Sequence, residues 1–292
     1  MASDTGANGA EHVLTVSCTD RPGIMHAIAS FLVDHGANVI ESQQFDDRKA
    51  GKFFMRTQFE AAAGRTIDPA ALRMGFTAVA EAFGMTWNLT TAGHRQRALI
   101  MVSKYGHCLN DLLFRSSTGA LQVEIAAVVS NHPDLASMAD SYRVPFFHVK
   151  VEPERKADAE AELLRLAVDL RIDLVILARY MQILSDELCK QLEGRAINIH
   201  HSLLPSFKGA RPYLQAYERG VKLVGATAHY VTADLDEGPI IEQTVARVDH
   251  TMTAESVAAL GRDTECLALA HAVQWHSENR VLLDGKRTVV FH

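Results

Sequence analysis

Two stretches restrict the fold of this chain more than any others. Residues 98–103 (A-L-I-M-V-S) and 174–178 (L-V-I-L-A) are short apolar runs without the alternation of a half-wet strand. A strand that is apolar at successive positions is covered on both faces, the condition of a parallel sheet between two layers of helices. Helical and strand patterns alternate around these runs, at 107–115, 122–129, 133–142, 146–149, 157–170 and 186–192. Residues 98–292 are therefore expected to form a doubly wound, mostly parallel α/β sheet. Strands at 222–231 and 239–245, a long helix at 254–278 and a hairpin of 280–283 with 288–291, turned by Asp284 and Gly285, are expected to complete it.

The first part of the chain reads differently. An alternating strand at 13–18 leads through a turn at 19–23 into helical spacing at Ile24, Ala27, Ile28, Phe31 and Leu32, which Gly36 ends. Strands at 38–45 and 53–59, a helix at 68–83 and a strand at 85–89 follow. The order βαββαβ predicts a ferredoxin-like α+β domain over residues 11–90. The polar, turn-rich T-T-A-G-H-R-Q at 90–96 marks a linker, bounded at 91–97, and the small polar residues 1–10 read as a flexible tail.

Composition narrows the partners. With 292 residues, 48% of them hydrophobic, the chain has enough apolar surface for a sizeable core. A formal net charge of −6 with no dense basic run argues against nucleic acid. Cys18, Cys108, Cys189 and Cys266 lie far apart with no C-x-x-C pair, a pattern of reduced thiols, with neither a disulfide framework nor a zinc site. No apolar run reaches membrane-spanning length and no basic region precedes an apolar core at the N-terminus, so a cytoplasmic protein without a membrane partner is expected.

The chemistry concentrates in residues 196–243. Apolar Ala196, Ile197 and Ile199 form a buried strand that stops at a turn leading to Pro205, and Asn198 and His200, two apart, point to one face. An amide donor and an imidazole at a strand's C-terminal end face the crevice in which open α/β sheets bind ligands. The acidic loop T-A-D-L-D-E-G at 232–238 offers Asp234, Asp236 or Glu237 to orient that imidazole or take a proton from water, and chain order alone does not choose among them. H-H at His200 and His201 lacks the i, i+4 spacing of a helical zinc motif, so no metal is expected. Ser202 lacks a G-x-S-x-G elbow and reads as a turn residue.

N-I-H-H-S-L-L-P-S-F-K-G-A, followed by G-A-T-A-H-Y-V and L-D-E-G-P-I-I, closely resembles the folate-dependent formyltransferases. The doubled histidine and G-A-R-P-Y-L-Q-A-Y-E-R-G resemble their hydrolytic branch, the formyltetrahydrofolate deformylases. The resemblance implies hydrolysis of 10-formyltetrahydrofolate to formate and tetrahydrofolate, with the folate as substrate and no cofactor, and a place in one-carbon and purine metabolism. It implies a catalytic trio of Asn198, His200 and Asp236 and a folate pocket drawing on Met181, Ile183, Leu184, His229, Glu237 and Gly238. Glycinamide-ribonucleotide transformylases on the same fold hold their acceptor's phosphate on a glycine-rich loop. Here S-K-Y-G-H-C-L-N-D at 103–111 has one glycine, so water is expected in place of a phosphorylated acceptor. His201 stands where transformylases usually have proline. The turn T-D-R-P-G-I-M resembles the ligand turn of ACT domains, which implies an amino-acid effector such as methionine or glycine near Asp20, Pro22, Gly23 and Asn38, and a homo-oligomer. The rival expectations are formyl transfer to an amine, a non-catalytic amino-acid sensor and a hydrolase of another amide.

Overall fold

A computed structural model describes residues 10–206 and 212–292. Residues 1–9 of the expected N-terminal tail (1–10) and the F-K-G-A-R part of the motif (207–211) lie outside the described residues. The chain divides into two compact units, one built on residues up to His94 and one on Arg95–Ser277.

The first unit runs β1 (His12–Thr19), α1 (Ile24–Asp34), β2 (Ala37–Asp47), β3 (Lys52–Ala61), α2 (Pro69–Phe83) and β4 (Thr86–Thr91). The expected βαββαβ order is present, and its four strands form an antiparallel sheet ordered β2-β3-β1-β4. Sequence punctuation sets the ends of α2. The Asp68 carboxylate accepts a hydrogen bond from the Ala70 amide, Pro69 starts the helix, and Gly84 leaves it with a left-handed φ of 62°. Alternation along β3 sends Phe53, Met55 and Phe59 into a core with Leu14, Ile28 and Phe76.

The opposite face of β3 carries Phe54 and Arg56, both buried. It is covered by the end of the chain, because Glu278–Leu282 and Val289–His292 group with this first unit. Phe54 packs with Leu282 and Phe291. Arg56 donates from Nε and Nη2 to the Glu278 carbonyl and pairs with Glu41 at 2.8 Å. The expected catalytic domain of 98–292 thus hands its last residues to the first unit. A β3 that is buried on both faces requires such a cover, since α1 and α2 lie on one side only.

The second unit contains β5 (Gln96–Val102), α3 (His107–Ser117), β6 (Val123–Ser130), α4 (Ala136–Ser141), β7 (Phe146–His148), α5 (Lys156–Asp169), β8 (Leu174–Leu177) and α6 (Asp186–Gln191). It continues with β9 (Ala196–His200), α7 (Pro212–Glu218), β10 (Leu223–Tyr230), β11 (Ile240–Arg247) and α8 (Ala254–Ser277). The closing hairpin is β12 (Val281–Asp284) with β13 (Arg287–Val290), and its tip, Leu283–Thr288, groups with this unit.

Seven strands are ordered β11-β10-β9-β8-β5-β6-β7. The five from β9 to β7 are parallel, and β10 runs antiparallel to both neighbours. The apolar runs that predicted a covered sheet are the interior of β5 and β8, where Ala98 to Val102 and Leu174 to Leu177 are buried. Helix α7 was not anticipated, and the expected helix at 133–142 shortens to six residues. Strand order reverses between β5 and β8. This switch point places a crevice at their C-terminal ends, beside the end of β9.

Candidate active site

At that crevice lies a cavity of about 450 Å³, lined by the segment after β8, the end of β9, and the loop after β10. Asn198, His200 and Asp236 all line it. Pairing registers bring the first two into place. Asn198 stands beside Leu177 of β8 and beside His229 of β10, and His200 beside Thr227.

Hydrogen-bond chemistry then fixes how each ring sits. His229 Nδ1 lies 2.9 Å from the Tyr230 carbonyl, which only accepts, so Nδ1 carries the proton. Burial holds the His229 pKa below the ordinary imidazole range, which leaves Nε2 bare in the neutral ring. Asn198 Nδ2 is 3.2 Å from that nitrogen and donates to it. One amide N–H of Asn198 is spent on His229, and the second is left for a ligand oxygen. His229, expected in the folate pocket, thus lines the cavity as the residue that orients Asn198.

Asp236 reaches the same place from the acidic loop. Its Oδ1 is 3.2 Å from His200 Nδ1 and 3.8 Å from His229 Nε2. A carboxylate accepts, so His200 carries its proton on Nδ1 and presents Nε2 as the base. That Nε2 is buried without a hydrogen-bond partner among the described residues. Burial opposes charge on Asp236, but the hydrogen bond from His200 and the fields of His200, His229 and His201 prevail and hold its pKa below the usual carboxylate value. The backbone of Asp236 has φ 56°, a left-handed conformation uncommon outside glycine that aspartate tolerates better than most. Of the three acidic candidates, Asp236 is the one at the imidazole. Asp234 and Glu237 are exposed.

Gly238 explains how the loop holds this turn. A Cβ there would sit 1.7 Å from the Tyr230 carbonyl oxygen, so only glycine admits the close approach of the two strands. Glu237 and Gly238, expected among the folate contacts, are not among the residues that line the cavity. Gly238 acts by shaping the loop, and its neighbour Glu237 faces outward.

Met181, Ile183 and Leu184 line the cavity. Met181 and Ile183 are 54% and 63% exposed, so they form an open apolar wall and are not core. Ser103, at the end of β5, fixes this wall: its Oγ donates to Asn131 Oδ1 at 2.7 Å and accepts from the Met181 amide at 3.0 Å. Sequence reasoning missed Ser103. A serine closing an apolar strand is its only local signal.

The ACT-type turn is an exposed feature of the first unit. Asp20, Pro22 and Gly23 are exposed between β1 and α1, Gly23 has φ 97°, and no side chain caps α1. Asn38, on β2, directs Nδ2 to Glu60 at 3.5 Å.

Among the described residues, His107, Cys108 and Glu265 place possible metal-ligating atoms within 4.8 Å of one another. They do not fit a cation. The Arg179 guanidinium already sits 2.8 Å from the Glu265 carboxylate. A hydrogen bond with Cys266 and burial push the Cys108 thiol far above its ordinary pKa, so it stays protonated. All four cysteines are free.

A doubly wound sheet with an amide, an imidazole–carboxylate pair and an apolar slot at its switch point defines a formyltransferase-type catalytic unit, here preceded by an ACT-type unit. The family model described as formyl transferase matches residues 96–273, and the ACT domain model matches residues 12–61. The formyltetrahydrofolate deformylase of Corynebacterium sp. (strain P-1) is 52% identical over 280 residues, covering 96% of this chain and 97% of that protein. The crystal structure of the formyltetrahydrofolate deformylase from Burkholderia mallei ATCC 23344 superposes with a TM-score of 0.92 at 50% identity, over 97% of this chain and all of that one (100%). Glycinamide ribonucleotide transformylase 1 from Symbiobacterium toebii shares the fold more narrowly, with a TM-score of 0.64 at 30% identity over 70% of this chain and 98% of that one. The chain belongs to the formyltetrahydrofolate deformylase family.

Proposed function

We propose that the second unit hydrolyses 10-formyltetrahydrofolate to formate and tetrahydrofolate, with Asn198, His200 and Asp236 as its catalytic residues. The observation that carries this is the convergence of those three side chains at one end of a cavity whose other wall is Met181, Ile183 and Leu184. The apolar wall suits a flat pterin ring. Asn198, oriented by His229, offers its remaining N–H to the formyl oxygen as that oxygen becomes an anion, an effect worth on the order of 3 kcal/mol in a transition state. Water adds to the formyl carbon and gives its proton to the His200–Asp236 pair. The carbon–N10 bond then breaks, N10 takes a proton from the pair, and formate leaves. Atoms balance with water as the only co-reactant, and the chemistry calls on no cofactor.

Incubation of the purified protein with 10-formyltetrahydrofolate and no acceptor is expected to yield formate and tetrahydrofolate in equal amounts. Formyl release that begins only when an amine acceptor such as glycinamide ribonucleotide is added would instead make the chain a transferase. The ACT unit supports amino-acid control: α1 opens with uncapped amides and carries no acidic residue in its first turn, which suits a carboxylate ligand. Methionine or glycine is therefore expected to change the rate of formate release. A rate that neither alters would remove the effector at Asp20, Pro22, Gly23 and Asn38.

A further inference from the structure

Arg179 and His201 also line the cavity, and Arg179 is tied to a buried carboxylate behind it. Glu265, fully buried on α8, gathers three donors from three other segments. His107 Nε2, at the start of α3, lies 2.7 Å from its Oε2; Arg179 Nη1, just after β8, lies 2.8 Å from the same oxygen; and Tyr213 OH, on α7, lies 2.8 Å from Oε1. Burial opposes the charge on Glu265, but these donors prevail and hold its pKa below the ordinary value. Tyr213 gets there through Gly261, one turn earlier on α8, where a Cβ would lie 2.2 Å from the phenol ring. His201 stands between this network and the reaction site. Its ring lies 5.1 Å from that of His200 and 6.5 Å from that of Tyr213. On its other side, among the described residues, lies a small cavity of about 20 Å³ bordered by His201, Pro212 and Tyr213. That space holds at most about one water.

We infer that His107, Arg179 and Tyr213, gathered on Glu265, form a plug that fills the side of the site from which an amine would reach the formyl carbon. His201 is the partition held against it, so that water alone attacks. A buried carboxylate is a natural anchor for the ammonium or hydroxyl groups of an acceptor, and here both of its oxygens already accept from the chain's own donors. Selectivity against a competing nucleophile comes from denying it space and polar partners. The inference rests on the deformylase reading, since it explains which nucleophile that reaction admits.

The test supplies 10-formyltetrahydrofolate with excess glycinamide, a primary amine without phosphate, and measures the ratio of N-formylglycinamide to formate. The wild-type chain and Tyr213→Phe, which keeps the volume of the plug, are expected to make formate with only a trace of N-formylglycinamide. Tyr213→Ala and His201→Ala are expected to raise the transferred fraction by at least about tenfold, the scale on which small changes of pocket volume alter selectivity. A general loss of structure lowers both products without moving their ratio, so the ratio separates a specific role from a structural one. His201→Ala leaves all three bonds to Glu265 intact and decides the matter alone if Tyr213→Ala does not fold. Both alanine variants folded, by circular dichroism, with a wild-type ratio would overturn the inference while the deformylase reading stands. No formate from the wild-type chain would overturn that reading and the inference with it.

Discussion

Replacing Asp236 with asparagine is expected to slow formate release by at least about a hundredfold, the low end of what a positioned acid–base group contributes. The substitution keeps the shape of the side chain but removes the charge that stabilises a proton on the imidazole. His200 Nδ1 is 3.2 Å from Asp236 Oδ1, so the carboxylate fixes the tautomer in which Nε2 is the base, and it compensates the imidazolium that forms when water is deprotonated. His200→Ala removes the base itself and is expected to cost at least as much. Neither side chain belongs to the apolar wall, so the loss should fall mainly on kcat and leave KM within a few-fold of its starting value. Single-turnover formate release separates the two parameters. Near-normal release from either variant would remove that residue from the mechanism.

Mild acid is expected to weaken the second unit well before carboxylates protonate. Burial pushes His201 and His276 each down to about 4, and it lowers His229 as well. His201 is further depressed by Arg179 and His200, against the opposing charges of Glu265 and Asp236. A group whose folded pKa lies below its unfolded value of 6.5 takes up its proton more readily in the unfolded chain. Stability is therefore complete above about pH 6.5 and falls as pH drops towards 4. At about 1.4 kcal/mol per unit, the loss is on the order of 3 kcal/mol for each of His201 and His276. Asp236, depressed below 3.8, adds its own loss only at still lower pH. Denaturant midpoints measured at pH 7, 6, 5 and 4.5 should decline steadily, and His276→Gln should flatten the decline. A midpoint that stays level over that range would mean these rings are not held neutral.

Much of this was readable from residue order alone, for a physical reason. The covered sheet announced itself because β5 and β8 lack any polar face, and Asn198 and His200 declared a common direction because strand periodicity is two. The trio's third member was local to a loop whose sequence offered three acids. Only the left-handed turn at Asp236, held by the close approach at Gly238, decides which acid faces the ring. The Glu265 network was not readable, because its four members come from α3, the segment after β8, α7 and α8, and a glutamate in a long amphipathic helix looks like a solvated one. The tautomer of His229 needs the Tyr230 carbonyl, which no side-chain pattern encodes. The return of residues 278–282 and 289–292 to the first unit was likewise silent, as strand β3 shows only that a second apolar face exists and not what covers it.

That return sets an order of assembly. On the ribosome the first unit emerges well before residue 278, with Phe54 still uncovered and the Arg56 guanidinium still lacking the Glu278 carbonyl that it grips in the finished chain. The unit made first is thus finished last, and domain-by-domain folding from the N-terminus does not describe it. An excised first unit would carry the same wound permanently, so a lone regulatory fragment should be supplied with the closing hairpin if it is to be soluble and sound.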